Sequence, residues 1–126
     1  MALVIGLLLH GCGENRVSQC NKIVTVANKA KILVAPKDAS GFIPFAENID
    51  RIRTEVQAIA IQDSNLKEQQ VQLLNMYADV SQALKGQVKA SEAKDKSALD
   101  KAKQDLGTAA SKENELVDRI NAICSK

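Results

Sequence analysis

Along most of this chain apolar residues recur at spacings of three, four and seven, the pattern of helices that bury one face. Val17, Cys20, Val24, Ala27 and Val34 form a first stripe, with Ile23 and Ala30 beside it and Asn21, Lys22, Asn28 and Lys29 away from it. The stripe predicts a helix from Arg16 or Val17 to about Val34. Pro36 ends it, because a proline pushes the preceding residue out of the helical region. A heptad seam of Ile49, Ile52, Val56 and Ile59 predicts a second helix over 47–61. Leu66, Leu73, Tyr77, Val80 and Leu84 predict a third that fades over 89–94. Leu99, Ala102, Leu106, Ala109, Leu116, Ile120 and Ile123 predict a fourth, in which Glu113 also falls on the seam and marks a packing gap or a contact with a lysine. Asp63-Ser64-Asn65 reads as a turn. Asn65 with Glu68, and Ser97 with Asp100, are candidate helix starts.

The fold expected from this pattern is all-α, an up-down four-helix bundle. The alternative has three helices, because the apolar phase of the second continues through 63, 66, 70 and 73 and allows one long central helix over 47–89. That version would put Asp63 and Gln70 on the seam and bury less apolar surface, so four helices are preferred.

Composition sharpens this picture. The chain has 126 residues, enough for one domain with its own core. Its aromatic residues are Phe42, Phe45 and Tyr77, and it has no Trp, so the core is aliphatic and suits close helix packing rather than an aromatic-lined pocket. The formal charge of +2, with lysines and acids alternating as in Lys94-Asp95-Lys96, describes solvated helix faces. Without a basic stripe or stacking aromatics, nucleic-acid binding is not expected.

The run Leu3 to Leu9 has the size of a signal-peptide core and is far short of the ~20 residues that cross a bilayer. Leu9-His10-Gly11-Cys12 directly behind it resembles the lipobox of bacterial lipoproteins. The resemblance implies a signal peptide over 1–11, a lipid on Cys12, a tether over 12–16 and a helical domain over 17–126. No basic residue precedes the run and His10 is unusual in that motif, so two alternatives stay open. One is an ordinary secretory signal, and the other is a buried N-terminal segment with an incidental cysteine. Cys20 and Cys124 are then an even pair bracketing the domain, most simply a disulfide in an oxidising compartment. In an up-down bundle the first helix starts and the last ends at one pole, which brings the two cysteines together. The 36–44 loop then falls at the opposite pole, pointing away from the anchored end.

Candidate chemistry is sparse. His10 is the only histidine and lies in the leader, which leaves the mature chain without the usual acid–base, nucleophilic and zinc constellations. There is no Cys-x-x-Cys and no glycine-rich phosphate loop. Neither an enzyme nor a cofactor or metal site is expected. The loop Lys37–Phe45 has turn chemistry in Asp38, Ser40 and Gly41, followed by Phe42, Ile43 and Phe45. Those three side chains either plug one end of the bundle, the preferred reading, or form an apolar tip that docks on a partner.

Cys20, the Met76-Tyr77 pair, and Leu116, Val117, Ile120, Asn121 and Cys124 near the C-terminus together resemble a family of small exported helical proteins of cyanobacteria. The resemblance implies an exported bundle in the periplasm or thylakoid lumen and assigns no activity. Two functions are expected from different classes. One is a membrane-tethered interaction or assembly protein, an accessory subunit of a membrane complex. The other is a small carrier of an apolar ligand between the helices. Small aliphatic residues at nearly every seam position leave little room for a cavity and favour the first.

Overall fold

The computed structural model describes residues 15–125. Among them are four α-helices and a short 3-10 turn, with no strand: α1 (Arg16–Lys31), the turn Ala39–Gly41, α2 (Phe42–Gln57), α3 (Ser64–Glu92) and α4 (Lys96–Cys124). Each helix packs on its sequence neighbour, and α1 closes the ring against α4. This is the up-down arrangement, with a break between α2 and α3 that excludes one long central helix. The Cys20–Cys124 disulfide joins the first helix to the last, with the two Cα atoms 5.7 Å apart.

The core is aliphatic. Ile23 and Ala27 of α1, Ile49, Ile52 and Val56 of α2, Leu66, Leu73, Met76, Tyr77 and Leu84 of α3, and Ala109, Leu116 and Ile120 of α4 form one buried cluster. Each large aliphatic side chain withdrawn from water in this way contributes about 1.5–3 kcal/mol before entropy is counted.

The helices are unequal. The 29 residues of α3 and of α4 make rods of about 43 Å, whereas the 16-residue α1 and α2 span about 24 Å. Each of α3 and α4 is thus longer than α1 or α2 by about 20 Å. Asp50 of α2 pairs with Lys85 of α3 at 2.8 Å, so the first turns of α2 lie beside the last turns of α3, away from the disulfide.

Several predicted boundaries move, each for a local reason. α1 stops at Lys31, not Val34: Leu33 turns in to pack against the core, while Val34 is 87% exposed. Val17, also expected on the buried stripe, is exposed. α2 begins at Phe42, five residues before the predicted start. Pro44 lies in its first turn, where the missing N–H would have had no intrahelical acceptor. α2 ends at Gln57, and Ile59 and Ile61 turn inward from the connecting loop. The caps of α3 and α4 are Asp63 and Asp95, whose carboxylates accept from Leu66 N–H (2.9 Å) and Ala98 N–H (3.0 Å). They displace Asn65 and Ser97 because a carboxylate at the N-cap both accepts an orphan amide and complements the helix dipole.

Candidate interaction surface

The polar groups inside the bundle are structural in character. At the disulfide pole, the Gln70 side-chain amide donates to the carbonyls of Val56 (2.8 Å) and Ile59 (2.9 Å), capping the frayed end of α2 from a neighbouring helix. Gln19 of α1 accepts from the Gln62 N–H at 2.8 Å, and Arg16 lies 3.9 Å from Asp63. Two glutamines thus pin the 58–63 connection. Sequence reasoning noted Gln70 only as a polar seam position against one long helix and passed over Gln19, because a glutamine at helical spacing carries no signal that separates a buried clamp from a solvated face.

Farther along α3, the Tyr77 hydroxyl is buried without a hydrogen-bond acceptor, and one turn on the buried Ser81 hydroxyl lies beside the Asp50 carboxylate. Half-buried Glu113 of α4 approaches Tyr77 from across the core, and burial pushes its carboxyl above the usual range despite the opposing charge of Lys31 at the end of α1. Burial, together with the Glu113 charge, raises the Tyr77 hydroxyl far above its ordinary value. Glu113 thus feels the charge of Lys31 without forming an ion pair with it. Asp50 of α2 behaves oppositely. Burial would raise it, but Lys85 at 2.8 Å, the neighbouring Ser81 hydroxyl and the Arg53 charge hold it below its ordinary value.

None of these groups opens onto a substrate-sized cavity. A hollow of about 560 Å³ is a surface groove between α3 and α4, floored by Ala83, Gly86 and Ala102 and walled by Asp79, Lys101 and Asp105. A second, of about 550 Å³, runs beside Val17, Val26 and Ile59. Among the described residues no group of three or more His, Cys, Asp or Glu side chains is placed to hold a metal ion. None of the described helices is long and apolar enough to cross a membrane.

The α1–α2 loop is the most distinctive surface. Gly41 lies against Pro36 so tightly that an added Cβ would sit 2.5 Å from the proline Cβ, and this contact closes the loop. The Asp38 carboxylate accepts from the Ser40 N–H (3.1 Å) and hydroxyl, starting the 3-10 turn. Of the three side chains expected at a tip, Phe42 and Phe45 are half-buried against the core, and only Ile43 is exposed, at 36%. The phenylalanines are therefore a plug. The protruding apolar groups come from the other side of the loop: Ile32, 77% exposed, and Val34. The disulfide pair Cys20 and Cys124 is as expected, while Cys12, His10 and the whole leader lie outside the described residues.

No protein family matches this chain, and no curated protein or solved structure shows significant similarity to it.

Proposed function

We propose that the chain is an exported, membrane-tethered helical interaction protein, anchored through Cys12 and serving as an accessory or assembly subunit at a membrane. The observation that carries this reading is the Cys20–Cys124 disulfide, which staples the first helix to the last and is the kind of cross-link that persists in oxidising compartments. An aliphatic core, with the hollows of about 560 and 550 Å³ open at the surface of the bundle, supports a binding surface over a ligand chamber. The protruding Ile32 and Val34 supply an apolar element that the fold itself does not use. The carrier reading draws support from the apolar-lined groove beside Val17, Val26 and Ile59, where an apolar dye displaced by cell lipids would reveal it.

The test is the intact, non-reduced mass of the protein from its native membrane fraction. A lipid-bearing chain starting at Cys12 and lighter by two hydrogens is expected. An unprocessed chain with three free thiols would mean a reducing compartment, and both export and tether would fall.

A further inference from the structure

From Arg16 to Lys37 the chain has five basic residues, Arg16, Lys22, Lys29, Lys31 and Lys37, and no acidic one. The formal charge of the whole chain is only +2, so the remainder is net negative and the positive charge is concentrated on α1 and on Lys37, which Asp38 follows directly in the loop. Neighbouring helices offset part of it: Asp63 lies near Arg16, Glu55 bonds Lys29 at 2.7 Å, and the carboxyl of Glu113 faces Lys31. Lys37 has no ion-pair partner among the described residues, and Lys31 and Lys37 are both exposed. Between these two lysines stands the apolar run Ile32-Leu33-Val34-Ala35-Pro36. Leu33 points into the core, while Ile32 and Val34 project into solvent at 77% and 87% exposure.

We infer that the C-terminal end of α1 and the loop after it, with Ile32 and Val34 as the wedge between Lys31 and Lys37, dock on an anionic lipid bilayer. Aliphatic side chains projecting between lysines match the two layers of a bilayer surface, acyl chains below and anionic headgroups above. A protein partner fits less well. Interfaces between proteins are anchored by Trp, Tyr and Arg and are depleted in Lys, whereas the run from Lys31 to Lys37 offers aliphatic groups between two lysines. Because α1 is the helix nearest the N-terminal end, the same contact would lay the bundle along the membrane instead of standing it upright. The inference rests on the proposed tether only in placing the chain beside a membrane, since the contact itself needs no acyl group.

The experiment uses the full chain with Cys12→Ser, so that no lipid can be attached. The chain lacks Trp, so Val34→Trp supplies a single fluorophore at the wedge, and Gln104→Trp supplies one on the exposed face of α4. Phosphatidylcholine vesicles with and without phosphatidylglycerol are the probes, some carrying brominated acyl chains as quenchers. The expected result is tighter binding to the anionic vesicles, with blue shift and quenching at position 34 and none at 104. Lys31→Gln and Lys37→Gln should each weaken binding about fivefold, and Ile32→Ser with Val34→Ser should abolish quenching of a fluorophore placed at position 35. Far-UV circular dichroism of each variant verifies that the bundle is intact. Equal binding to both vesicle types, or binding with position 34 unquenched, overturns the inference. So does photo-crosslinking from position 34 in native membranes that captures an acidic protein and no lipid. Vesicle docking by a chain whose native mass shows no lipid would remove the tether and leave the docking face standing.

Discussion

Tyr77 carries a hydroxyl into an aliphatic core and finds no acceptor there, so removing the oxygen is expected to help the fold. Tyr77→Phe should be more stable than the parent by about 1 kcal/mol, read from urea unfolding, because a buried unpaired hydroxyl forfeits its hydration without return. A loss of stability would mean that the hydroxyl is hydrogen-bonded after all. Glu113 and Asp50 set the response to pH. Glu113 is raised, so its contribution is fully present below its ordinary value of 4.5 and is lost as pH rises through its higher folded value. Asp50 is lowered, so its contribution is present above its ordinary value of 3.8 and is lost as pH falls through its folded one. Glu113→Gln should flatten the decline toward neutral pH and raise stability there, whereas Asp50→Asn should flatten only the acid limb. Unfolding midpoints across a pH series check both, and an unchanged neutral limb in Glu113→Gln would refute the assignment. Of these residues the sequence marked Glu113, because an acid on an apolar seam breaks a pattern. It put Gln70 on the seam without a role and did not mark Gln19, since their bonds run to carbonyl and amide groups in a connection that helical spacing does not locate.

At the scale of elements, helix interiors were legible and helix ends were not. Periodicity locates a buried face, but ends are decided by single side chains competing for orphan backbone groups. That is why Asp63 and Asp95 took the caps, and why Pro44 proved compatible with a first turn. Two glycines separate the factors. Gly107 lies inside α4 with open space around it, so Gly107→Ala should stabilise by about 1 kcal/mol through helix propensity alone. Gly41→Ala would force its Cβ into the Pro36 ring and should destabilise by about 1–3 kcal/mol. Equal thermal shifts in the two variants would show that propensity, not contact, governs position 41. The α3–α4 connection offers a third case. Lys94 adopts a left-handed conformation, φ 55°, while the Asp95 N–H returns to the Ala90 carbonyl and the Lys94 N–H to that of Ser91. That closure favours glycine, so Lys94→Gly should gain about 0.5–1 kcal/mol, measurable as a higher melting temperature.

For the whole molecule, the decisive feature is the unequal length of the helices combined with one cross-link. α3 and α4 pack along their full length, whereas α1 buries only Gln19, Cys20, Ile23 and Ala27 and touches the rest of the fold along a short face. The up-down order was readable from four stripes and a cysteine pair. The long third and fourth helices were readable as well, since the third stripe was expected to fade over 89–94 and the fourth to start at Ser97 and run through Ile123, close to the observed Ser64–Glu92 and Lys96–Cys124. The disulfide closes a sequence separation of 104 residues, a constraint that chain-entropy arithmetic values at about 5 kcal/mol. That is of the order of the whole stability of a marginal domain. Cys20→Ser with Cys124→Ser should therefore bring the protein close to its unfolding threshold, and the loss should not be uniform. Hydrogen exchange resolved by residue is expected to show α1 amides losing protection first, while the α3–α4 pair, which keeps its own interface, holds out until global unfolding. If α1 stays as protected as α3 in the double variant, its packing alone suffices, and the cross-link is not what keeps the cationic helix seated on the bundle.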